Sequence, residues 1–431
     1  MDSKTYGKLQ ETLYHERLEN GLEVYILPKP GFQQTFATFS TKYGSIDNHF
    51  VLPTTGEEVQ VPDGIAHFLE HKMFEEEDHD VFQDFAAHGA SANAFTSFDI
   101  TTYLFSSTSD LPENLTTLID FVQRPYFTDE NVEKEKGIIG QEIKMYEDNP
   151  DWRCYFGILQ GLYQKHPVHI DIAGTVESIA KISKELLYTC YNTFYHPSNM
   201  LVFIVGNVDP EAAMQLIREN QQQKTYKEQP EIKRIYPKEP AQAAKERLEN
   251  KLPVSIPRCI FGFKEASMGL RGNELLTREL AIGLVMDAIF GKSSSLFQEL
   301  LNDGLIDQHF SWEYEIAPTY GHSIIGGNSK DPDRLMQRVQ EALRTYLEQG
   351  VPKEELERCR RKTIGRFMAG LDSPRYISRN FTSYRFRDVD FFDTLDILQT
   401  VTYEACMQHM KEHVDFGRWS SSIVWPTDQA E

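Results

Sequence analysis

The sequence predicts an α+β fold of two homologous domains, each a mainly antiparallel sheet packed with helices. Three observations carry this. Short alternating apolar runs, read as strands, are interleaved with segments of helical period. A polar Lys/Gln/Glu/Pro-rich stretch, residues 226–245, divides the 431-residue chain and reads as an exposed linker. Beyond it the chain writes ERLENKLPVSI (Glu246–Ile256), having written ERLENGLEVYI (Glu16–Ile26) near its start. The two stretches share their first five letters and lead into a similar order of elements, so we read a duplication. The domains are then residues 1–225 and 246–431.

In chain order, GLEVYILPKP (Gly21–Pro30) alternates as a strand does. QTFATFSTKYGSID (Gln34–Asp47) alternates again, as its antiparallel neighbour. DGIAHFLEHKMFEEE (Asp63–Glu77) reads as a helix, with Asp63 as N-cap and Ile65, Phe68, Leu69 and Phe74 as its apolar face. HDVFQDFAAHGASANAFTS gives a short helix and a Gly/Ser/Asn turn, and TTYLFSST is rich in β-formers. DLPENLTTLIDFVQRP and DENVEKEKGIIGQEIKMYEDNP carry helical period with acidic first turns. HPSNMLVFIVGNVDPEAAMQLIREN is a strand, a turn and a helix entered after Asp209-Pro210. RCIFGFKEA opens the second copy's alternation.

A net charge of −21 argues against nucleic acid as a partner, since the single basic cluster, ERCRRK (Glu357–Lys362), reads as one helix face. An acidic chain can still draw in basic peptides. The first residues are polar and acidic rather than leader-like, and no apolar run reaches the roughly 18 residues that cross a bilayer, so no membrane span is expected. Five scattered cysteines without C-x-x-C spacing read as thiols of a reducing, cytoplasmic compartment.

The chemistry gathers at His67, Glu70 and His71. Residues four apart on a helix share a face, with Cβ atoms about 5–6 Å apart, so the two imidazoles can converge on one ion. Glu70 lies beside that face, placed as a general base toward water activated by the ion. This is the H-x-x-E-H order; the bland alternative is a solvated helix with two surface histidines. A third ligand should be a carboxylate on a later helix, where Glu130, Glu133, Glu135, Glu142 and Glu147 are available. GIIGQEI reads as buried, and a buried carboxylate needs a partner, so Glu142 ranks as ligand. Glu135, two turns earlier on the same face, ranks as its support, with Glu147 as fallback. Glu130 and Glu133 read as solvated. GASANAFTSFDITTYLF (Gly89–Phe105) reads either as an edge strand open to pairing with an extended peptide or as an ordinary hairpin. His166 and His169 read as loop residues, and EEEDHD (Glu75–Asp80) as a solvated helix end. The offset that carries Glu16 onto Glu246 carries His67 and His71 onto Phe297 and Leu301, so the second copy lacks the histidines.

HFLEH (His67–His71), NAFT (Asn93–Thr96), EKGIIGQE (Glu135–Glu142) and YHPSNMLVFIVGNVDP (Tyr195–Pro210) occur in that order. Together they resemble the pitrilysin/insulinase/mitochondrial-processing-peptidase family of inverted-zinc metallopeptidases. The resemblance is strong over residues 16–225 and weaker after that. In length and in QEIKMYEDNPDWR it is most similar to half-length bacterial members. It implies that the two domains form one half of a clamshell, and that two halves enclose a chamber admitting peptides or unfolded segments. It further implies that His67, His71 and Glu142 hold one Zn²⁺ per chain and that Glu70 is the general base. Glu135 matches the other glutamate of the downstream motif, and Asn93 and Ala94 match the strand that docks substrate backbone. One departure matters. Family members also use an Arg and a Tyr from a metal-free domain to steady the oxyanion, and here Leu301 and Asp307 stand near those places. The resemblance therefore implies a heterodimer with a homologous partner chain that supplies the Arg/Tyr pair. Two rivals are a peptide-binding or processing subunit without turnover, against which the intact Glu70 speaks, and a metal-free scaffold.

Overall fold

The computed structural model describes residues 1–77 and 80–427. The chain forms two compact units. Unit 1 comprises Met1–Ile143, Asp171–Tyr236 and Gly370–Phe386; unit 2 comprises Lys144–Ile170, Pro237–Ala369 and the chain from Arg387 onward.

Unit 1 contains strands β1 (Asp2–Tyr6), β2 (Glu11–Arg17), β3 (Glu23–Pro28), β4 (Thr35–Thr41), β5 (His49–Val51), β6 (Glu58–Gln60), β7 (Ser91–Thr96), β8 (Thr101–Ser107), β9 (Met200–Gly206) and β10 (Lys233–Arg234). Seven of them form a sheet in the order β1-β2-β3-β9-β4-β8-β7. β3 and β9 run parallel, and every other pairing in that sheet is antiparallel. β9, MLVFIVG, is buried along its whole length, as an unbroken apolar run at the centre of a covered sheet should be. Its helices are α1 (Ile65–Lys72), α2 (Phe82–Ala87), α3 (Leu111–Val122) and α4 (Asp129–Glu147), the last of which ends just past the unit boundary.

Unit 2 begins with α5 (Pro150–Leu162), which packs on that unit's own sheet; α6 (Val176–Ile179), α7 (Lys184–Phe194) and α8 (Pro210–Gln222) return to unit 1. Among the described residues the strands of unit 2 are β11 (Arg247–Leu252), β12 (Arg258–Lys264), β13 (Ser311–Ile316), β14 (Gly321–Asn328) and β15 (Trp419–Pro426), in the order β11-β15-β12-β14-β13. The β11–β15 pair is parallel and the others antiparallel. That order and sense reproduce β3-β9-β4-β8-β7, so the duplication is present in the pairing itself. The shared letters ERLEN do not superpose, however. In the first copy they close β2 and turn toward β3; in the second Arg247–Asn250 lie within β11 and Glu246 just before it.

The sequence division into 1–225, a linker and 246–431 differs from the units. Residues 226–245 are not a free linker: β10 pairs with β5, Ile232 is buried, and Arg234 binds the buried Asp47 at 3.0 Å. A two-residue strand is too short to show a period. α9 (Gly272–Phe290), α10 (Ser295–Asn302), α11 (Pro332–Gln349) and α12 (Lys353–Gly370) follow in unit 2. α13 (Pro374–Phe386) belongs to unit 1, where Phe381 stacks on Phe203 at 4.3 Å between ring centroids. α14 (Thr394–Thr400) and α15 (Tyr403–His413) complete unit 2. The segment Gly272–Asn302 is long and apolar enough to cross a bilayer, contrary to the expectation from the sequence. It is mostly buried within unit 2, and its Arg278 and Asp287 pair with Glu265 and Lys362, as befits a core helix.

Candidate metal centre

α1 buries every residue except His71. So short a helix is marginal on its own and is held by packing, with Phe68 and Leu69 fully buried and each contributing about 2 kcal/mol. Asp63 is not its N-cap. Gly64 takes that place at φ 87°, without a side-chain cap, and a Cβ there would sit 2.4 Å from the Ala173 carbonyl oxygen. The left-handed glycine turns Asp63 out of capping range, and Asp63 accepts instead from Asn48 Nδ2 at 2.8 Å.

α1 presents His67 and His71 with ring centroids 4.6 Å apart, and α4 brings two glutamates to them. His67 Nε2 lies 3.8 Å from Glu142 Oε1, and His71 Nε2 lies 3.6 Å from Glu142 Oε2. One ligand atom from each of the three residues falls within 4.8 Å of the others. These separations are too long for hydrogen bonds. They approach the ~3.3 Å edge made by ligand atoms about 2.0–2.1 Å from one tetrahedral ion. His67 Nδ1 is also buried without a hydrogen-bond partner among the described residues. Nε2, which faces Glu142, is the nitrogen placed to hold an ion. The donor set therefore fits a zinc ion.

On the other side of His71, Glu135 Oε1 lies 3.1 Å from Nδ1. Burial was expected at Glu142, but the Glu135 side chain is 9% exposed and that of Glu142 21%. The buried face of α4 runs through Val132, Glu135, Ile139 and Ile143, while Ile138 and Met145 are exposed, so the apolar letters around Glu142 do not all point inward. Glu130, Glu133 and the fallback Glu147 are exposed and stand outside the cluster. His166 and His169 belong to a 3-10 turn, where His166 Nδ1 accepts from Val168 N and His169 Nδ1 meets the His166 carbonyl oxygen.

The electrostatics separate the roles. Burial, with the neighbouring His71 adding to it, pushes His67 down to about 4, which keeps it in the neutral form a metal requires. Burial also pulls on His71, but Glu135 and Glu70 outweigh it and raise the ring's pKa. Glu135 is held low by His71 and Lys72 against its own burial. Burial raises Glu70, a shift the Thr96 hydroxyl opposes by donating to Oε2 at 2.8 Å. A carboxylate with a raised pKa is the stronger base.

Gly89–Phe105 is an antiparallel hairpin of β7 and β8, and β7 stands at the edge of the sheet, so the stretch is both a hairpin and an edge strand. Asn93 and Ala94 on β7 share a cleft of about 580 Å³ with Glu70, His71 and Glu135. The Ala94 N–H is taken by Asn93 Oδ1 at 2.8 Å. In the acidic run after α1, Asp78 and His79 lie outside the described residues. Glu75 is no solvated helix end, since α1 stops at Lys72 and Glu75 binds the Lys72 ammonium. Sequence reasoning missed both Lys72 and Thr96. The lysine's place directly after His71 was the available signal for the first, and nothing local marked the second.

A duplicated α+β chain with a two-histidine, one-carboxylate cluster and a glutamate beside it is of the metallopeptidase class. Residues 56–176 match the family model described as insulinase (peptidase family M16), and residues 181–363 match that described as peptidase M16 inactive domain. The chain is 53% identical over 421 residues to the uncharacterized zinc protease YmfH of Bacillus subtilis (strain 168), covering 98% of each. An M16-like chain from Alicyclobacillus acidocaldarius has a TM-score of 0.94 at 45% identity, over 97% of this chain and 99% of that one. A Helicobacter pylori protease shares the fold, with a TM-score of 0.83 at 20% identity over 96% and 99% of the two chains. The protein belongs to the insulinase/pitrilysin (M16) peptidase family.

Proposed function

We propose that this chain is the zinc-bearing subunit of an endopeptidase that hydrolyses peptides or unfolded segments. His67, His71 and Glu142 would hold one zinc ion and Glu70 would act as general base. The convergence of those three side chains beside a buried, base-strengthened Glu70 carries the reading. Zinc held there supplies Lewis acidity and acidifies water. Glu70 takes the proton of the attacking water and hands it to the leaving amine, while Thr96 keeps its carboxylate aimed. Glu135 fixes His71 through Nδ1, leaving Nε2 for the ion. A peptide adds to β7 as a further strand beside Asn93 and Ala94, exchanging the internal Asn93–Ala94 bond for its own.

The oxyanion side comes from a homologous partner across a closed chamber. In this chain Leu301 packs against the core of unit 2 and Asp307 accepts from Asn328 Nδ2 at 2.7 Å, so neither provides a cation or a phenol. Five buried free thiols suit a cytoplasmic setting. The test is Glu70→Gln assayed on a quenched peptide. The variant should retain about one zinc per chain and lose at least ~10²-fold in hydrolysis. Unchanged hydrolysis would overturn the assignment, and full activity from the chain alone would remove the partner.

A further inference from the structure

We propose that Lys72 is a positioning residue of the metal centre, anchoring one oxygen of Glu135 so that the other faces Nδ1 of His71. The inference rests on the metal centre proposed above and deepens it. Lys72 is the last residue of α1 and is fully buried, an expensive place for an ammonium without carboxylate partners. It has two. One is Glu75, just beyond the helix; the other is Glu135 of α4, whose Oε2 lies 3.7 Å from Nζ. The second oxygen of the same carboxylate, Oε1, meets His71 Nδ1 at 3.1 Å.

Lys72, Glu135 and His71 thus form a line that ends at the Nε2 facing Glu142. The ion pair at Oε2 is longer than a hydrogen bond, but together with the contact at Oε1 it favours one orientation of the carboxylate about its last torsion. With Glu135 fixed, His71 keeps its proton on Nδ1 and its lone pair on Nε2, the atom an ion needs. The H-x-x-E-H spacing itself asks nothing of the residue after the second histidine. The structural alternative is that Lys72 serves Glu75 alone and ties down the chain leaving α1.

Zinc affinity of the full chain, measured at neutral pH by competition with a chromophoric chelator, separates these readings. The proposal expects Lys72→Met to bind zinc ~10–100-fold more weakly and Glu135→Gln to do the same. It expects the double variant to be no worse than the weaker single one, because both break one line. Glu75→Gln should stay within about twofold of the parent. The proposal is overturned if Lys72→Met binds as the parent does, if the double variant loses the product of the single losses, or if Glu75→Gln weakens zinc tenfold. The last comparison needs no Lys72 variant, so the proposal stays open to refutation even if none folds. If the parent itself takes up no zinc, or His67→Ala leaves uptake intact, the metal centre has failed rather than the role of Lys72.

Discussion

Gly64→Ala should detach the histidine helix from its anchor. At φ 87° an alanine incurs about 1–2 kcal/mol for left-handed backbone. Its Cβ would also stand 2.4 Å from the Ala173 carbonyl oxygen and 2.8 Å from the carbonyl carbon. Both are backbone atoms and cannot rotate away, so the segments must part by about 1 Å to regain ordinary contact, at an overpacking cost of about 1–3 kcal/mol. The total, about 2–5 kcal/mol, is a large share of the stability of a typical domain. Gly31→Ala supplies the control. Gly31 has φ 93° with nothing within 4 Å of an added Cβ, so it should incur the backbone cost alone. The difference between the variants isolates the contact with Ala173. The assay is guanidinium unfolding of the metal-free chain followed by circular dichroism. The relevant transition is the one that added zinc shifts to higher denaturant, since a ligand stabilises the unit that binds it. His67 lies one helical turn past Gly64, and metal geometry tolerates only about 0.2 Å, so zinc affinity should fall as well. If Gly64→Ala costs no more than Gly31→Ala and binds zinc normally, the idea that this turn aims α1 is wrong.

Gly137 sits on α4 between the two glutamates with nothing within 4 Å of an added Cβ, so Gly137→Ala should stabilise the chain by about 1 kcal/mol and leave zinc affinity unchanged. A loss of zinc would mean that α4 depends on that glycine in a way its open surroundings do not reveal. Thr96→Val removes the hydroxyl that lowers the Glu70 pKa. The acid limb of the pH–rate profile should then move to higher pH, because the base must be ionised to act, with zinc content intact. An unmoved limb would separate Thr96 from catalysis. Burial holds His166 down at about 4, so the unfolded chain binds more protons between roughly pH 6.5 and 4, and stability contributed by this group is lost as pH falls through that window. Between pH 7 and 5 the loss is about 2 kcal/mol. His166→Asn, which keeps an acceptor for the Val168 N–H, should remove that much of the pH dependence, and an unchanged slope would refute it.

The part of the site visible in the sequence is the part that helical geometry fixes locally. Histidines four apart must share a face, as must glutamates seven apart, wherever the helices go. Which glutamate is buried depended on how α4 packs, and there the letters misled: Ile138 and Met145, which suggested burial around Glu142, face outward. Lys72 stayed hidden because its significance comes from Glu135, remote in the chain and adjacent only after folding. The repeat makes the same point at larger scale. The offset from Glu16 to Glu246 carries Ile65, which opens α1, onto Ser295, which opens α10. The same offset carries Thr101, which opens β8, onto Asp331, already beyond the end of β14. No single shift relates the copies, and five identical letters marked no structural equivalence. What the copies share is pairing order, and that order puts both β7 and β13 at sheet edges. In unit 1 the helix that opens the way to the edge strand carries His67, Glu70, His71 and Lys72; at the corresponding point of unit 2, α10 sends Phe297 and Leu300 into the core. The fold therefore supplies the same edge twice, and among the described residues a few polar side chains on one short helix, with two carboxylates from α4, make one of them a candidate for chemistry.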